Sequence, residues 1–302
     1  MTANQPTRRP VIGRFAPSPT GALHLGSLTA ALASWLMARC VSGQWLIRIE
    51  DLDPPREIPG MAEQHLSTLS AFGLTSDLPV WRQSQRSEFY NATLQRLIAS
   101  GHAFECRCSR NDLSITHGVH HACVAQPSGM PAWRMRVPSE HITFIDHIRG
   151  SFEQSLHDDV GDFVLKRSDG FWAYQMAVVV DDAEQGISQI VRGADLIDST
   201  PRQILLQRSL GLTTPHYCHL PVLRYADGSK LSKSLAAAPV DPTNPLPALR
   251  HAYALIGQDN RVLDGQSNMD QMLLRALAHF QPELIPSQDI VIFEQINNTS
   301  PR

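Results

Sequence analysis

The chain has 302 residues, 42% of them hydrophobic and 18% charged, and its length suits about two ordinary domains. This composition excludes a disordered or collagen-like protein. The net charge of −3 argues against a protein held to nucleic acid by a broad basic surface, although it leaves room for one positive face. No apolar run reaches the ~20 residues of a bilayer span and the start lacks a signal-peptide pattern, so we expect a cytoplasmic protein without membrane contact.

The first half of the chain follows a strand, turn, helix order. Its predicted elements are a strand at 11–15, a helical face at 23–36, a strand at 45–49, and helices at 60–72 and 87–100. The second strand leads directly into Glu50 and further acidic residues. Because open α/β sheets bind ligands at the carboxyl ends of their parallel strands, these acidic groups are candidates for a binding site.

Alternating strand and helix patterns resume after residue 163. They comprise an apolar stretch at 177–180 followed by two aspartates, a strand at 187–191, a helix within 198–211 and a strand-like segment at 219–223. In that helix Ser199 or Thr200 can cap the start, Pro201 suits the first turn and Gly211 suits the exit. The remaining C-terminal residues have weaker helical periodicity.

The chain has five cysteines, an odd number, and no secretion signal, which argues against a disulfide framework. Three of them crowd together with three histidines: Cys106, Cys108, His117, His120, His121 and Cys123. Thiolate and imidazole ligands suit tetrahedral Zn²⁺, and a closed set of three Cys and one His would make the zinc structural rather than catalytic. The residues alone leave open which histidine completes the site, and whether the cysteines are instead unrelated buried thiols.

Two short motifs lie far apart in the chain. In RFAPSPTGALHLGS, at 14–27, the prolines fix the backbone, the glycines permit close approach of a ligand, and the next helix would direct its amides at an anion. There His24 could hydrogen-bond a phosphate. Two of the three lysines of the chain lie in KLSKS, at 230–234. Each motif is a weak signal by itself.

Together the two motifs resemble the HIGH and KMSKS elements of the class I aminoacyl-tRNA synthetases. The longer segments RFAPSPTGALHLGS, RIEDLDPPR, AYQMAVVVDD, IVRGADLIDSTPRQ and DGSKLSKS are similar to the glutamyl branch of that family and cover most of residues 11–240. The resemblance implies an α/β fold, a split Rossmann parallel-sheet nucleotide-binding domain, that activates an amino acid with ATP.

Within this branch the chain is most similar to truncated paralogues. The helix after HLG begins Ser-Leu-Thr, KLSKS leads into an Ala/Pro-rich stretch, and the chain ends before an anticodon-binding domain would fit. We therefore expect no anticodon-binding domain. The expected domains are the first half of the Rossmann domain at 1–104, a zinc-site insertion at 105–160, the second half at 161–224, and the KLSKS loop with a short, mostly helical C-terminal region at 225–302.

The resemblance also implies roles for individual residues, and glutamate itself requires an acidic partner for its ammonium and arginines for its carboxylates. The expected glutamate contacts are Arg14, Phe15, Ala16, Pro17, Ser18, Glu50, Tyr174 and Arg192. The expected ATP contacts are His24, Gly26, Ser27 and Lys233, with Mg²⁺ bridging the phosphates, and the expected catalytic residues are His24, Lys230 and Lys233. Structural Zn²⁺ is expected on Cys106, Cys108, His120 and Cys123, with His120 in place of the usual family tyrosine and His117 or His121 as alternatives.

The resemblance implies that glutamate is transferred to queuosine in the anticodon loop of tRNA(Asp). One alternative is a short synthetase that charges tRNA(Glu), and another is a non-catalytic, tRNA-binding module. Arginines in or near the insertion could contact RNA phosphates or be solvated surface: Arg107, Arg110, Arg134, Arg136 and Arg149. We expect a monomer.

Overall fold

The computed structural model describes residues 10–109, 111–124, 129–225 and 238–292, over which strands and helices alternate. The strands are β1 (Ile12–Phe15), β2 (Gln44–Ile49), β3 (Trp81–Arg82), β4 (Ala103–Cys106), β5 (Ala132–Met135), β6 (His141–Asp146), β7 (Gly150–Ser155), β8 (Val164–Lys166), β9 (Gln189–Gly193), β10 (His216–Leu220), β11 (Leu223–Tyr225) and β12 (Ile290–Ile292). The helices are α1 (Leu25–Arg39), α2 (Met61–Ala71), α3 (Ser87–Ala99), α4 (Leu156–Asp159), α5 (Tyr174–Glu184), α6 (Thr200–Leu210), α7 (Pro245–Leu255) and α8 (Met269–Ala278).

Two parallel sheets form the body of the protein. The first has the order β1-β2-β3, and in the second β6, β10 and β9 run parallel with β7 antiparallel at the edge. The sheets adjoin where the Ser188 amide donates to the Ile12 carbonyl at 3.0 Å and the Ile12 amide donates to Ser188 Oγ at 3.0 Å. The expectation of an α/β fold with a parallel sheet is confirmed, and the sheet is assembled from both halves of the chain.

The core of the first half is completed by the C-terminal helices. Leu28, Leu32 and Leu36 of α1 are buried in the same hydrophobic cluster as Leu249 of α7 and Met272 of α8. The C-terminal segment also supplies β12, which pairs in parallel with β11. Residues 238–292 therefore share a core with the first half rather than forming a separate unit.

The Cys/His segment lies between the two halves and is flanked by a three-stranded antiparallel sheet of order β4-β5-β8. The hairpin of β6 and β7, at 141–155, belongs instead to the second parallel sheet, where Tyr217 of β10 pairs with Asp146. The predicted insertion at 105–160 includes this range. The difference arises because β6 meets β10 across a long sequence separation, which periodicity does not reveal.

Two local predictions in the second half have different outcomes. Gly211 ends α6 in the left-handed region with φ +68, as predicted for a helix exit. Ser199 occupies the position before α6 without a capping bond from its side chain, and Thr200 Oγ1 accepts a hydrogen bond from Arg192 instead. The apolar stretch at 177–180 is buried inside α5.

Within the described ranges, no helix is long and apolar enough to cross a membrane.

Candidate active site

A cleft of about 1420 Å³ opens at the carboxyl ends of β1, β2, β9 and β10. Its lining includes every residue predicted to contact glutamate, and the first-motif residues predicted to contact ATP. These are Arg14, Phe15, Ala16, Pro17, Ser18, His24, Gly26, Ser27, Glu50, Tyr174 and Arg192. The fold thus brings segments from both halves of the chain to one cavity, at the sheet edge where α/β folds bind ligands.

Arg192 in β9 is buried and held by neighbours on several elements. Its Nε donates to His219 Nε2 at 3.1 Å, and its Nη2 donates to Thr200 Oγ1 at 2.8 Å and to the Leu196 carbonyl at 3.4 Å. Its Nη1 donates to Tyr174 Oη at 3.2 Å. Burial raises the pKa of Tyr174, so its phenol keeps its proton and can itself donate. Arg192 and Tyr174 therefore present N–H and O–H donors together.

A second group of charges surrounds Arg14 and Glu50, which line the same cleft. Arg14 forms a two-pronged contact with Asp182, with Nε to Oδ1 at 3.1 Å and Nη2 to Oδ2 at 3.4 Å. The fully buried Arg48 donates to Asp182 Oδ1 at 2.8 Å and to Glu50 Oε1 at 3.2 Å. Burial acts to raise the pKa of Asp182, but Arg14 and Arg48 outweigh it and hold that pKa below its usual range. Asp182 therefore favours its ionised form and serves as a counter-ion shared by the two arginines.

Glu50 has a different electrostatic environment from Asp182. Burial raises the pKa of Glu50 above its ordinary value, and the nearby Arg48 and Arg14 offset this only in part. A further positive charge beside Glu50 would therefore stabilise its ionised carboxylate. The neighbouring Asp51 turns away from this group, since it accepts from the Ser84 amide at 2.9 Å and from Ser84 Oγ at 2.7 Å.

The family-like segments include Arg48, Asp181 and Asp182, but the sequence predicts no role for these residues. Asp181 accepts from Gln83 Nε2 at 2.9 Å, Arg86 Nε at 2.6 Å and Tyr90 Oη at 2.7 Å, which fastens α5 to α3 and the turn before it. The sequence signal for a role of the two aspartates is their position directly after an apolar run. Their partners lie about a hundred residues or more away in the sequence, and the motif does not specify them.

The start of α1 is capped by the first motif itself. His24 is the N-cap residue, and its Nδ1 accepts from the Gly26 amide at 3.1 Å and from the Ser27 amide at 3.4 Å. We predicted that these amides face an anion, whereas here they are directed at the imidazole. The physical reason is that the ring nitrogen reaches the same donors that a capping side chain usually satisfies. With Nδ1 accepting, the neutral ring carries its proton on Nε2.

The second motif cannot be placed, because Lys230 and Lys233 lie outside the described residues. The chain is described again from residue 238, and it returns directly to the first motif. The Val240 amide donates to the Leu23 carbonyl at 2.9 Å, and Pro239 forms an isolated antiparallel bridge with His24. Pro239 and Val240 therefore lie beside His24 and Leu23.

The predicted zinc residues are assembled in one cluster. One ligand atom from each of Cys106, Cys108, His120 and Cys123 lies within 4.8 Å of all the others. His120 Nε2 is 3.2 Å from Cys106 Sγ and 3.7 Å from Cys123 Sγ. The alternatives His117 and His121 are exposed and do not belong to this group.

The cluster is tied to the body of the protein through His120. Its Nδ1 lies 3.0 Å from Asp162 Oδ2, and its carbonyl accepts from the Asp162 amide at 2.7 Å. Gly161 has φ +66, and a Cβ there would collide with the His120 backbone. This contact requires glycine for both reasons. A carboxylate on the second ring nitrogen is the arrangement that orients metal-binding histidines.

The arginines considered for RNA contact differ in their surroundings. Arg134 is buried and donates to the Asp162 carbonyl at 2.8 Å, and Arg149 donates to Asp289 at 2.6 Å and to the His219 carbonyl at 3.3 Å. These two are structural contacts within the fold. Arg107 and Arg136 are exposed, and Arg110 lies outside the described residues.

Known proteins that are similar to this chain in sequence point to the same kind of fold and cleft. Residues 10–128 and 125–241 match the profile of tRNA synthetases class I (E and Q), catalytic domain. The chain is 56% identical to a Glutamyl-Q tRNA(Asp) synthetase of Xanthomonas oryzae pv. oryzae, over 92% of this chain and 93% of that protein. It is 52% identical to a Glutamyl-Q tRNA(Asp) synthetase of Burkholderia cenocepacia, over 81% of this chain and 87% of that one.

Among solved structures, a glutamate tRNA ligase from Elizabethkingia meningosepticum shares the fold with a TM-score of 0.78 at 23% identity, over 94% of this chain and 67% of that one. With the sheet, the cleft and these relatives taken together, the chain belongs to the class I tRNA synthetase (E and Q) family, in its glutamyl-Q tRNA(Asp) synthetase branch.

Proposed function

We propose that this protein activates L-glutamate with ATP and transfers the glutamyl group to queuosine in the anticodon loop of tRNA(Asp). The observation that carries the proposal is the charge pattern of the cleft. A buried carboxylate with a raised pKa, Glu50, shares one cavity with the arginines Arg14 and Arg192. This pattern matches an amino acid that carries one ammonium and two carboxylates. The named relatives supply the acceptor.

Glutamate recognition divides between the two sides of the cleft. On one side Arg192 uses four of its five N–H groups on protein acceptors, which fixes its plane and leaves an N–H of Nη1 beside Tyr174 Oη for a carboxylate. On the other side Glu50 accepts the ammonium, because this third positive group relieves the cost of ionising a buried carboxylate. Arg14, with Asp182 as its counter-ion, lines the same cleft and offers a second guanidinium to the substrate carboxylates.

Activation is an in-line displacement at phosphorus. An oxygen of the glutamate α-carboxylate forms a bond to the α-phosphorus of ATP, the bond from that phosphorus to the bridging oxygen breaks, and pyrophosphate leaves. The protein contributes position and charge rather than a covalent group. His24 donates from Nε2 to a phosphate oxygen, and Lys233, assisted by Lys230, neutralises the charge that develops on pyrophosphate. ATP enters with its Mg²⁺ as the substrate complex.

The second step transfers the glutamyl group from the adenylate. A hydroxyl of the queuosine cyclopentenediol attacks the glutamyl carbonyl carbon, the bond from that carbon to the phosphate oxygen breaks, and AMP leaves. Exposed Arg107 and Arg136 are candidates for phosphate contacts with the anticodon stem-loop, because both side chains face solvent. Arg107 has a long contact with exposed Glu105 at 3.7 Å, and Arg136 packs over the Phe104 ring.

The Cys/His cluster fits a structural zinc ion. Cys106, Cys108, Cys123 and His120 are soft ligands in a closed set of four, and Asp162 holds the other ring nitrogen of the histidine. Bound zinc would stabilise this segment as a cross-link. Since Cys108 and Leu113 line the same cleft as Glu50, the segment also shapes one wall of the active site.

The activation step is tested by ATP–pyrophosphate exchange with glutamate and without RNA. The unchanged protein should support exchange, and Lys233→Ala should lose about 100-fold or more, as expected on removing a preorganised charge contact. Lys166→Ala is the matched control, because Lys166 is the remaining lysine of the chain and packs over the Trp172 ring. Unchanged exchange in Lys233→Ala would overturn the assignment of the motif, and no exchange in the unchanged protein would favour a non-catalytic binding module.

A further inference from the structure

His219 connects the glutamate-side arginine to a buried carboxylate. It lies in β10 between β6 and β9, and its side chain is fully buried. Its Nδ1 is 2.6 Å from Asp146 Oδ2, and its Nε2 accepts from Arg192 Nε at 3.1 Å. No catalytic or binding role assigned above uses either Asp146 or His219.

The direction of these hydrogen bonds follows from the chemistry of Asp146. Its Oδ1 accepts from the Ile148 and Arg149 amides at 3.0 and 2.8 Å, and both oxygens are close to the His219 amide. Burial acts to raise the pKa of Asp146, but the hydrogen bonds from His219 and from these amides hold it below its usual range. An ionised carboxylate only accepts, so His219 must carry its proton on Nδ1.

The neutral tautomer with the proton on Nδ1 leaves a lone pair on Nε2. That lone pair faces Arg192 Nε–H, and Thr200 Oγ1 lies 3.2 Å from the same nitrogen. Burial and the charge of Arg192 lower the pKa of His219 despite Asp146, and Arg149 acts in the same direction as Arg192. The charged groups facing the ring are therefore one carboxylate and two arginines, an arrangement that keeps the ring neutral.

We propose that Asp146 and His219 are positioning residues that fix the guanidinium plane of Arg192, and through it the affinity for glutamate. Asp146 selects the tautomer, the tautomer supplies the acceptor for Arg192 Nε, and that bond aims Nη1 at the substrate beside Tyr174. The inference rests on the proposed role of Arg192 in glutamate binding.

The relay is tested by Asp146→Asn. The amide oxygen can keep the backbone bonds of Oδ1, while the amide nitrogen takes the place of Oδ2 and donates to His219 Nδ1. The ring must then carry its proton on Nε2, so that two N–H donors, His219 Nε2–H and Arg192 Nε–H, face each other. Replacing the aspartate of a catalytic Ser-His-Asp triad by asparagine changes the histidine tautomer in the same way. Losing one hydrogen bond to a charged group should raise the KM for glutamate about 10- to 100-fold. The KM for ATP should not change.

A double-mutant cycle separates this role from a purely structural one. His219→Gln retains an amide oxygen that can accept from Arg192 Nε without help from Asp146. In that background Asp146→Asn should add less than about threefold to the KM for glutamate, because the tautomer no longer matters. Asp289→Asn is the matched control, since Asp289 also binds Arg149, and its other hydrogen bonds come from the Val222 amide and Arg224 rather than from His219 or Arg192.

The result that overturns the relay is an equal effect of Asp146→Asn in both backgrounds, or an equal rise of both KM values. Nitrogen-15 NMR of the histidines reads the tautomer independently of activity, with the His219 signal assigned by its loss in His219→Gln. Protonated Nδ1 is expected in the unchanged protein and protonated Nε2 in Asp146→Asn, and the same tautomer in both would contradict the relay. If glutamate-dependent exchange is absent from the unchanged protein, the proposed function itself fails, whatever the NMR result.

Discussion

Replacement of His120 by alanine tests whether the Cys/His cluster is a metal site that stabilises the cleft wall. The His120 side chain is 1% exposed, and its two ring nitrogens contact the thiol cluster and Asp162. The adjacent His121 is exposed and outside the cluster, so His121→Ala is the matched control. Both changes remove one imidazole, but only that of His120 is buried against the thiols and Asp162.

The magnitude follows from the contacts that are lost. Mutation of a residue that hydrogen-bonds to a metal ligand costs about 10- to 100-fold in metal affinity. Loss of the ligand itself should therefore cost at least about 100-fold, or about 2.7 kcal/mol of binding free energy. Asp162 also loses a buried partner, which adds about 1 kcal/mol. Because metal binding is coupled to folding, these losses appear as stability, and at about 2–4 °C per kcal/mol the Tm should fall by about 10 °C.

The assay is metal analysis of purified protein together with thermal melts with and without a chelator. The unchanged protein and His121→Ala should hold about one zinc per chain and lose stability with chelator, as expected for a closed four-ligand site. His120→Ala should hold less zinc and respond less to chelator. If His120→Ala retains full zinc and melts with His121→Ala, or if the unchanged protein holds no zinc, the assignment of this site is refuted.

Two further predictions concern protonation and backbone geometry. Burial raises the pKa of Glu50, so its carboxylate takes up a proton at a higher pH than an ordinary glutamate side chain, whose pKa is about 4.3. As the pH falls, the KM for glutamate should therefore rise before that pH is reached, while the KM for ATP does not. A glutamate KM that stays flat down to about pH 4.3 would contradict the role of Glu50. Gly161→Ala should lower the Tm more than Gly170→Ala. Both glycines have positive φ, but only a Cβ on residue 161 would meet the His120 backbone. Equal melting temperatures of the two variants would show that this close approach does not matter.

Much of the site could be predicted because its residues adjoin strand ends within recognisable segments. Glu50 follows β2 and Arg192 lies in β9, so a parallel sheet brings both to the same edge. His120 was preferred among three histidines, and the cluster geometry selects it. The predicted strands account for the placement of Glu50 and Arg192, whereas the choice of His120 depends on the resemblance to the synthetase family.

The partners of these residues could not be predicted. Asp182 holds Arg14 and Asp146 holds His219 across long stretches of sequence, and neither periodicity nor motif spacing specifies such pairs. The capping of α1 by His24 was missed for a related reason. The imidazole was considered as a phosphate ligand, although its Nδ1 lies within reach of the first amides of its own helix.

The central claim is the transfer of glutamate to queuosine, and the most direct measurement is incorporation of labelled glutamate into purified tRNA. The account predicts ATP-dependent labelling of tRNA(Asp) that contains queuosine, and none of tRNA(Asp) prepared without it or of tRNA(Glu). Labelling of tRNA(Glu) alone would identify a short glutamyl-tRNA synthetase instead. Equal labelling of tRNA(Asp) with and without queuosine would contradict the proposed acceptor.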